Sequence, residues 1–341
     1  MSRLVDQSRL LLFAESTSSR GSDLFFPRCD IILSMTIIQE LRALSSDPQA
    51  QAEYAVSLLK PEQRLDAILA SLKALCELPT PEARQPLLQF YDHFASNGTK
   101  RDPGAHIRRA ILDALRPIAL LDDIPLLVDA ITTFEFLPPK FAEDAGMLRS
   151  GALLILNDLD DLLPGYYAVR LLVDGYTEEM SGEPALTAVR VLESQDQMLP
   201  LYQFALSNNN PKMADVVSEC LRSLRGMPEE LIPSLIERFD QSNDGAILVG
   251  LYELLVNHHE GPQGLDFLAS SLLAQQDLDL FRFLVITLLS SGKPVLISLV
   301  SNMIRLETNR QRIEIIIEAA DLFASNPDVS DIANTLRVDP T

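Results

Sequence analysis

Carboxylates are the side chains best placed to do chemistry here: Asp and Glu outnumber Lys and Arg 48 to 28. Between residues 101 and 280 there are 29 acids against 12 bases, so the middle carries most of the net charge of −20. Many of these acids stand just ahead of a proline that opens an apolar run. Asp122 and Asp123 precede Pro125, Asp158, Asp160 and Asp161 precede Pro164, and Asp196 precedes Pro200. Glu229 and Glu230 precede Pro233, and Glu260 precedes Pro262. Two causes would put acids at such places. A carboxylate at a helix N-terminus accepts from an orphan backbone N–H and complements the helix dipole. Alternatively, turns repeating about every 10 Å would form an acidic edge, close enough in spacing to the Debye length to act together and steer a basic partner. The first cause suffices alone, and Lys293 interrupts the row before Pro294. The second makes these nine carboxylates binding residues.

Other reactive groups offer less. Tyr166 and Tyr202 each lie two residues after a proline, where an aromatic could anchor a ligand on a concave face. Leu127, Leu235 and Leu296 hold the same place elsewhere, which marks it first as a packing position. The four histidines, His93, His106, His258 and His259, include no i, i+4 pair and no cysteine neighbour, so no zinc site is expected. The run Asn157 to Asp161 has the acids of a calcium loop. Counting from Asp158, however, Leu163 stands where glycine is needed and Val169 where the bidentate Glu belongs. No nucleophile elbow, phosphate loop or dinucleotide fingerprint occurs. Turn carboxylates in water keep ordinary pKa values, whereas general-acid work needs a buried one. No catalytic residue, metal or cofactor is expected.

The elements that would position these groups are helices. Prolines opening second helices, at 125, 164, 200, 233, 262 and 294, recur at steps of about 30 to 39 residues, the range of helical-hairpin repeats. Asp47-Pro48, Thr80-Pro81, Asp102-Pro103, Asn210-Pro211 and Asn326-Pro327 each pair a capping side chain with a proline at the first helical position, where its missing N–H costs nothing. No stretch alternates with the period of a strand. Helical hairpins are expected from residue 36 onward, among them 103–119 with 123–136 and 143–158 with 162–174. The run Phe281 to Leu289 is apolar on nearly every face, as an interior helix would be.

His106-Ile-Arg-Arg-Ala-Ile-Leu-Asp-Ala-Leu115, with Ile118 and then Asp122-Asp-Ile-Pro-Leu-Leu-Val128, resembles a HEAT repeat. Weaker copies start at Arg149 and Val216, and the resemblance spans about residues 100–310. It implies an all-α fold, a right-handed α-α superhelix (α-solenoid) of about eight or nine helical hairpins of HEAT or armadillo-like type. Proteins with such repeats are mostly scaffolds and adaptors; some are phycobilin lyases or DNA glycosylases.

Two domains of unequal character follow. Residues 1–34 have poor periodicity and are expected to be a disordered or mis-called extension before a natural start at Met35; residues 35–341 form a single HEAT-like solenoid. The acidic balance disfavours nucleic acid and anionic membranes. Leu10 to Ala14 is too short for a signal peptide, and Leu280 to Val300 is broken by Arg282 and Gly292-Lys293-Pro294. Of three cysteines, Cys29, Cys76 and Cys220, the last two fall on apolar faces and read as buried thiols of a reducing compartment. The expected function is a cytoplasmic, non-enzymatic scaffold for a protein partner, a basic one being what the charge favours. A repeat-class lyase or a self-assembly module are the alternatives.

Overall fold

The computed structural model describes residues 37–338 apart from Lys140 and Asp161. The expected extension at 1–34, the start at Met35, Cys29 and Asp161 lie outside the described residues. Helices dominate the described residues, and the fold is all-α.

Capping explains many helix starts. Asp47 accepts from the N–H of Ala50 at 3.1 Å, Asn210 from Lys212 at 3.1 Å and Asn326 from Asp328 at 3.0 Å. Asp244, Asp277 and Asn309 cap three more helices in the same way. Thr80 makes no such bond and opens a 3-10 turn. Pro125, Pro164, Pro233 and Pro294 fall in the first two positions of their helices, where no donor is lost. Pro262 instead precedes a turn through Gly264, whose φ of 57° delays the next helix to Leu265–Ala274.

Helices then pack on their next-but-one neighbours. His106–Leu115, Gly146–Leu159, Ala185–Ser194, Ala214–Ser223, Gly245–Asn257, Leu278–Ser290 and Arg310–Leu322 follow one another in contact. Leu163–Val173, Met198–Ser207 and Ile232–Phe239 make a second series, and Leu265–Ala274, Pro294–Ile304 and Pro327–Val338 a third. One apolar core of Leu, Ile, Val and Ala runs from Leu41 to Leu336. The tightest crossing is at Gly250, where a Cβ would meet Ser218 O at 2.5 Å and Ser218 Cα at 2.8 Å. In Leu278–Ser290, Phe281, Leu284, Val285, Leu288 and Leu289 are all buried, covered by helices on both sides.

Three expectations are corrected. The helix expected over 103–119 begins only at His106, because Gly104 and Ala105 adopt left-handed φ values of 76° and 57°. The helix expected to reach residue 136 ends at Ile131, and a two-stranded antiparallel ladder follows, pairing Phe136 with Glu143 and Leu137 with Ala142. Strands of two residues are too short to write an alternating pattern. Cys76 is exposed, since Ile68, Leu72 and Leu75 take the buried face of Leu65–Glu77; Cys220 is buried.

Candidate interaction surfaces

The turns that carry the acids lie side by side, tied by contacts between consecutive repeats. Arg84 donates to both oxygens of Asp123 at 3.0 and 2.5 Å. Arg116 donates to Asp158 at 2.6 Å, and Gln195 to Asn157 at 3.0 Å. Further on, His258 bonds the carbonyl of Met227 at 2.8 Å, Gln263 donates to Glu229 at 3.4 Å, and Lys293 donates to the carbonyl of Val256 at 2.7 Å.

Burial and hydrogen bonding divide the eight described acids into two groups. Asp123 is buried, paired with Arg84 and accepting from the N–H of Leu120 at 2.9 Å. Asp158 is half of an ion pair. Asp160 accepts from the N–H groups of Leu162 and Leu163, both at 2.8 Å, and these donors hold its pKa below the ordinary aspartate value. Asp122, Asp196, Glu229, Glu230 and Glu260 are exposed. Beside them stand exposed leucines that charge counting does not show: Leu121, Leu162, Leu199 and Leu231. This edge is therefore apolar as well as acidic.

The two tyrosines part company. Tyr202 is 9% exposed and belongs to the core with Leu127, Leu235 and Leu296, whereas Tyr166 is 60% exposed and stacks edge-on against Tyr167. They do not share a surface.

A second surface, not anticipated from sequence, forms around the short ladder. Two arginines from next-but-one helices that pack on each other pin it. Arg108, on His106–Leu115, pairs with Asp102 at 3.1 Å and with Glu135 at 2.7 Å, all three buried. Arg149, on Gly146–Leu159, is wholly buried; it pairs with Glu143 at 2.5 Å and Asp174 at 2.6 Å and lies 4.5 Å from the ring centre of Phe134. Glu143 also accepts from the N–H of Ala145 at 2.8 Å, closing the ladder's end. Gly98 is required beneath Arg108, because a Cβ there would run into Glu135 and the guanidinium. Buried pairs of this kind are not a cheap source of stability, since desolvation offsets much of their attraction. What they do here is hold irregular backbone in one shape.

That shape presents aromatics to solvent. Tyr176 meets Phe134 and Phe136 edge-on, with centroids 5.3 and 5.6 Å apart, and the three are 45%, 39% and 44% exposed. Beside Tyr176 opens a groove of about 670 Å³, walled by Leu172, Phe204 and Met213 and rimmed by Glu178, Glu179 and Lys212. On its other side a smaller opening of about 280 Å³ runs between Asp144, Glu183 and His106. A faint signal was available: Arg108 and Arg149 sit in the repeat-like motifs, but the acids they bind lie 6 to 27 residues away and share no pattern.

Among the described residues, no three His, Cys, Asp or Glu gather as a metal site requires, and no helix is long and apolar enough to cross a membrane. No family model matches the chain, and no curated protein does. Among solved structures, an engineered protein from the Northeast Structural Genomics Consortium is similar at 14% identity, over 89% of this chain and 82% of that one, with a TM-score of 0.42. Similarity at that level carries no argument about function.

Proposed function

We propose that this chain is a non-enzymatic interaction scaffold, a HEAT-like right-handed α-solenoid that holds a basic protein partner in the cytoplasm without a cofactor. The observation that supports it most is the edge of adjoining turns, where exposed carboxylates alternate with exposed leucines. Helix capping accounts for Asp160 and ion pairing for Asp123 and Asp158. Neither accounts for large apolar side chains left in water beside Asp122, Glu230 and Asp196. Such a mixed edge suits a partner that approaches by charge and stays by apolar burial. Nucleic acid and anionic membranes would be repelled by the same carboxylates.

The test is capture from native cytosol by the full chain, at low and high salt, beside the variant carrying Glu229→Lys and Glu230→Lys. A basic protein held by the parent and lost by the variant supports the edge. A partner indifferent to the variant places binding elsewhere. Recovery of nothing, with concentration-dependent sedimentation, replaces the scaffold with a self-assembling module.

A further inference from the structure

The groove beside Tyr176 has the chemistry of a peptide site. It rests on the scaffold reading above, but not on the acidic edge. We propose that it docks a short basic segment of a partner protein, in which a Lys or Arg neighbours an aromatic or long aliphatic side chain.

Size and lining set the apolar half. A space of about 670 Å³ bounded by Leu172, Phe204, Met213 and Tyr176 falls in the range of sites that enclose a few side chains. Charge sets the other half. Six carboxylates surround Tyr176 and its two openings: Glu143, Asp144, Asp174, Glu178, Glu179 and Glu183. Among the described residues, two cations beside them are already engaged, and Arg170, which shares a small opening with Asp174, lies over Tyr166 and Tyr167. Arg149 is buried between Glu143 and Asp174, and Lys212 pairs with Glu179 at 2.9 Å. Asp144 and Glu178 are exposed and make no ion pair among the described residues. A cation on the ligand would meet this unbalanced negative field, and an acidic ligand would be repelled.

The groove is held in shape before any ligand arrives. Arg149 fixes Glu143, Asp174 and the carbonyl of Tyr176, so binding does not have to order the walls.

The experiment uses labelled peptides on the full chain at physiological salt, read by fluorescence anisotropy. One peptide combines Arg, Leu and Gly, a second Arg and Gly only, a third Glu, Leu and Gly. The first should bind with a Kd of about 1–100 µM and at least about tenfold tighter than the others. The double variant Glu178→Lys, Glu179→Lys should reverse the preference toward the Glu peptide, a change that loss of structure would not produce; circular dichroism checks the fold. Binding by Arg and Gly alone at equal strength, or an unchanged preference in the double variant, overturns the proposal. So does loss of binding in the Glu229→Lys, Glu230→Lys variant instead, which returns the peptide to the turn edge. Failure of all peptides alongside capture of a cytosolic partner by that edge removes the groove and keeps the scaffold.

Discussion

Replacing Arg149 with alanine should open the ladder, not merely weaken it. Arg149 has no exposed side-chain surface, and its partners Glu143 and Asp174 are 3% and 16% exposed. Removing the cation leaves one carboxylate buried and another largely so, without a partner, and takes a donor from the carbonyl of Tyr176. Breaking a buried pair this way costs about 3–5 kcal/mol. Arg116→Ala is the control: its pair with Asp158 is 43% and 42% exposed, so the loss should be about 0–1 kcal/mol. Urea unfolding measures both. Hydrogen exchange localises the effect, because the amide of Asp144 bonds the carbonyl of Glu135 and that of Ala145 bonds Glu143. Their exchange should quicken by roughly two to four powers of ten at about 1.4 kcal/mol per tenfold. Adding Glu143→Gln and Asp174→Asn to Arg149→Ala should recover part of the loss, since neutral amides need no cation. Equal destabilisation by Arg149→Ala and Arg116→Ala, or unaltered exchange at Asp144 and Ala145, would refute the reasoning.

Further outcomes follow from single sites. Gly250→Ala should destabilise by about 1–3 kcal/mol in urea, because the new methyl meets the backbone of Ser218, which cannot rotate away. Cys76 should react with iodoacetamide in the native chain while Cys220, whose thiol burial pushes up in pKa, stays unmodified until denaturant is added; peptide mass mapping reads both. Asp160 has a folded pKa below its unfolded one, so its contribution is present above the unfolded value near 3.8 and is lost as pH falls through the folded value. An NMR titration should place its midpoint below that of an aspartate in the urea-unfolded chain, and a midpoint at or above it would contradict the two backbone donors.

Helices were legible because proline and its capping partner mark starts locally: Asp47, Asn210 and Asn326 act within three residues of their own position. Their burial was legible for the same reason, through apolar spacing in runs such as Leu278–Ser290. The function of an acid was not. Asp122 and Asp123 are neighbours of identical type, yet one is exposed and the other is buried by Arg84, 39 residues earlier. Nothing near Asp123 announces that partner. The ladder escaped notice for a related reason: its strands are two residues long, and what holds them is side-chain pairing by Arg108 and Arg149 rather than pattern. Cys76 shows the limit of helical spacing, since one residue beyond buried Leu75 already faces water.

Buried Arg108 and Arg149 also give the array a mechanical landmark. Helices held by neighbour contacts alone would peel from either end in small, similar steps when the chain is stretched. Arg108 and Arg149 join a stretch from Asp102 to Tyr176 through bonds that must yield together. Under tension the chain would unravel to that block, pause, and give way there in one taller rupture. Whatever the array holds along its length, it would keep this segment intact longest.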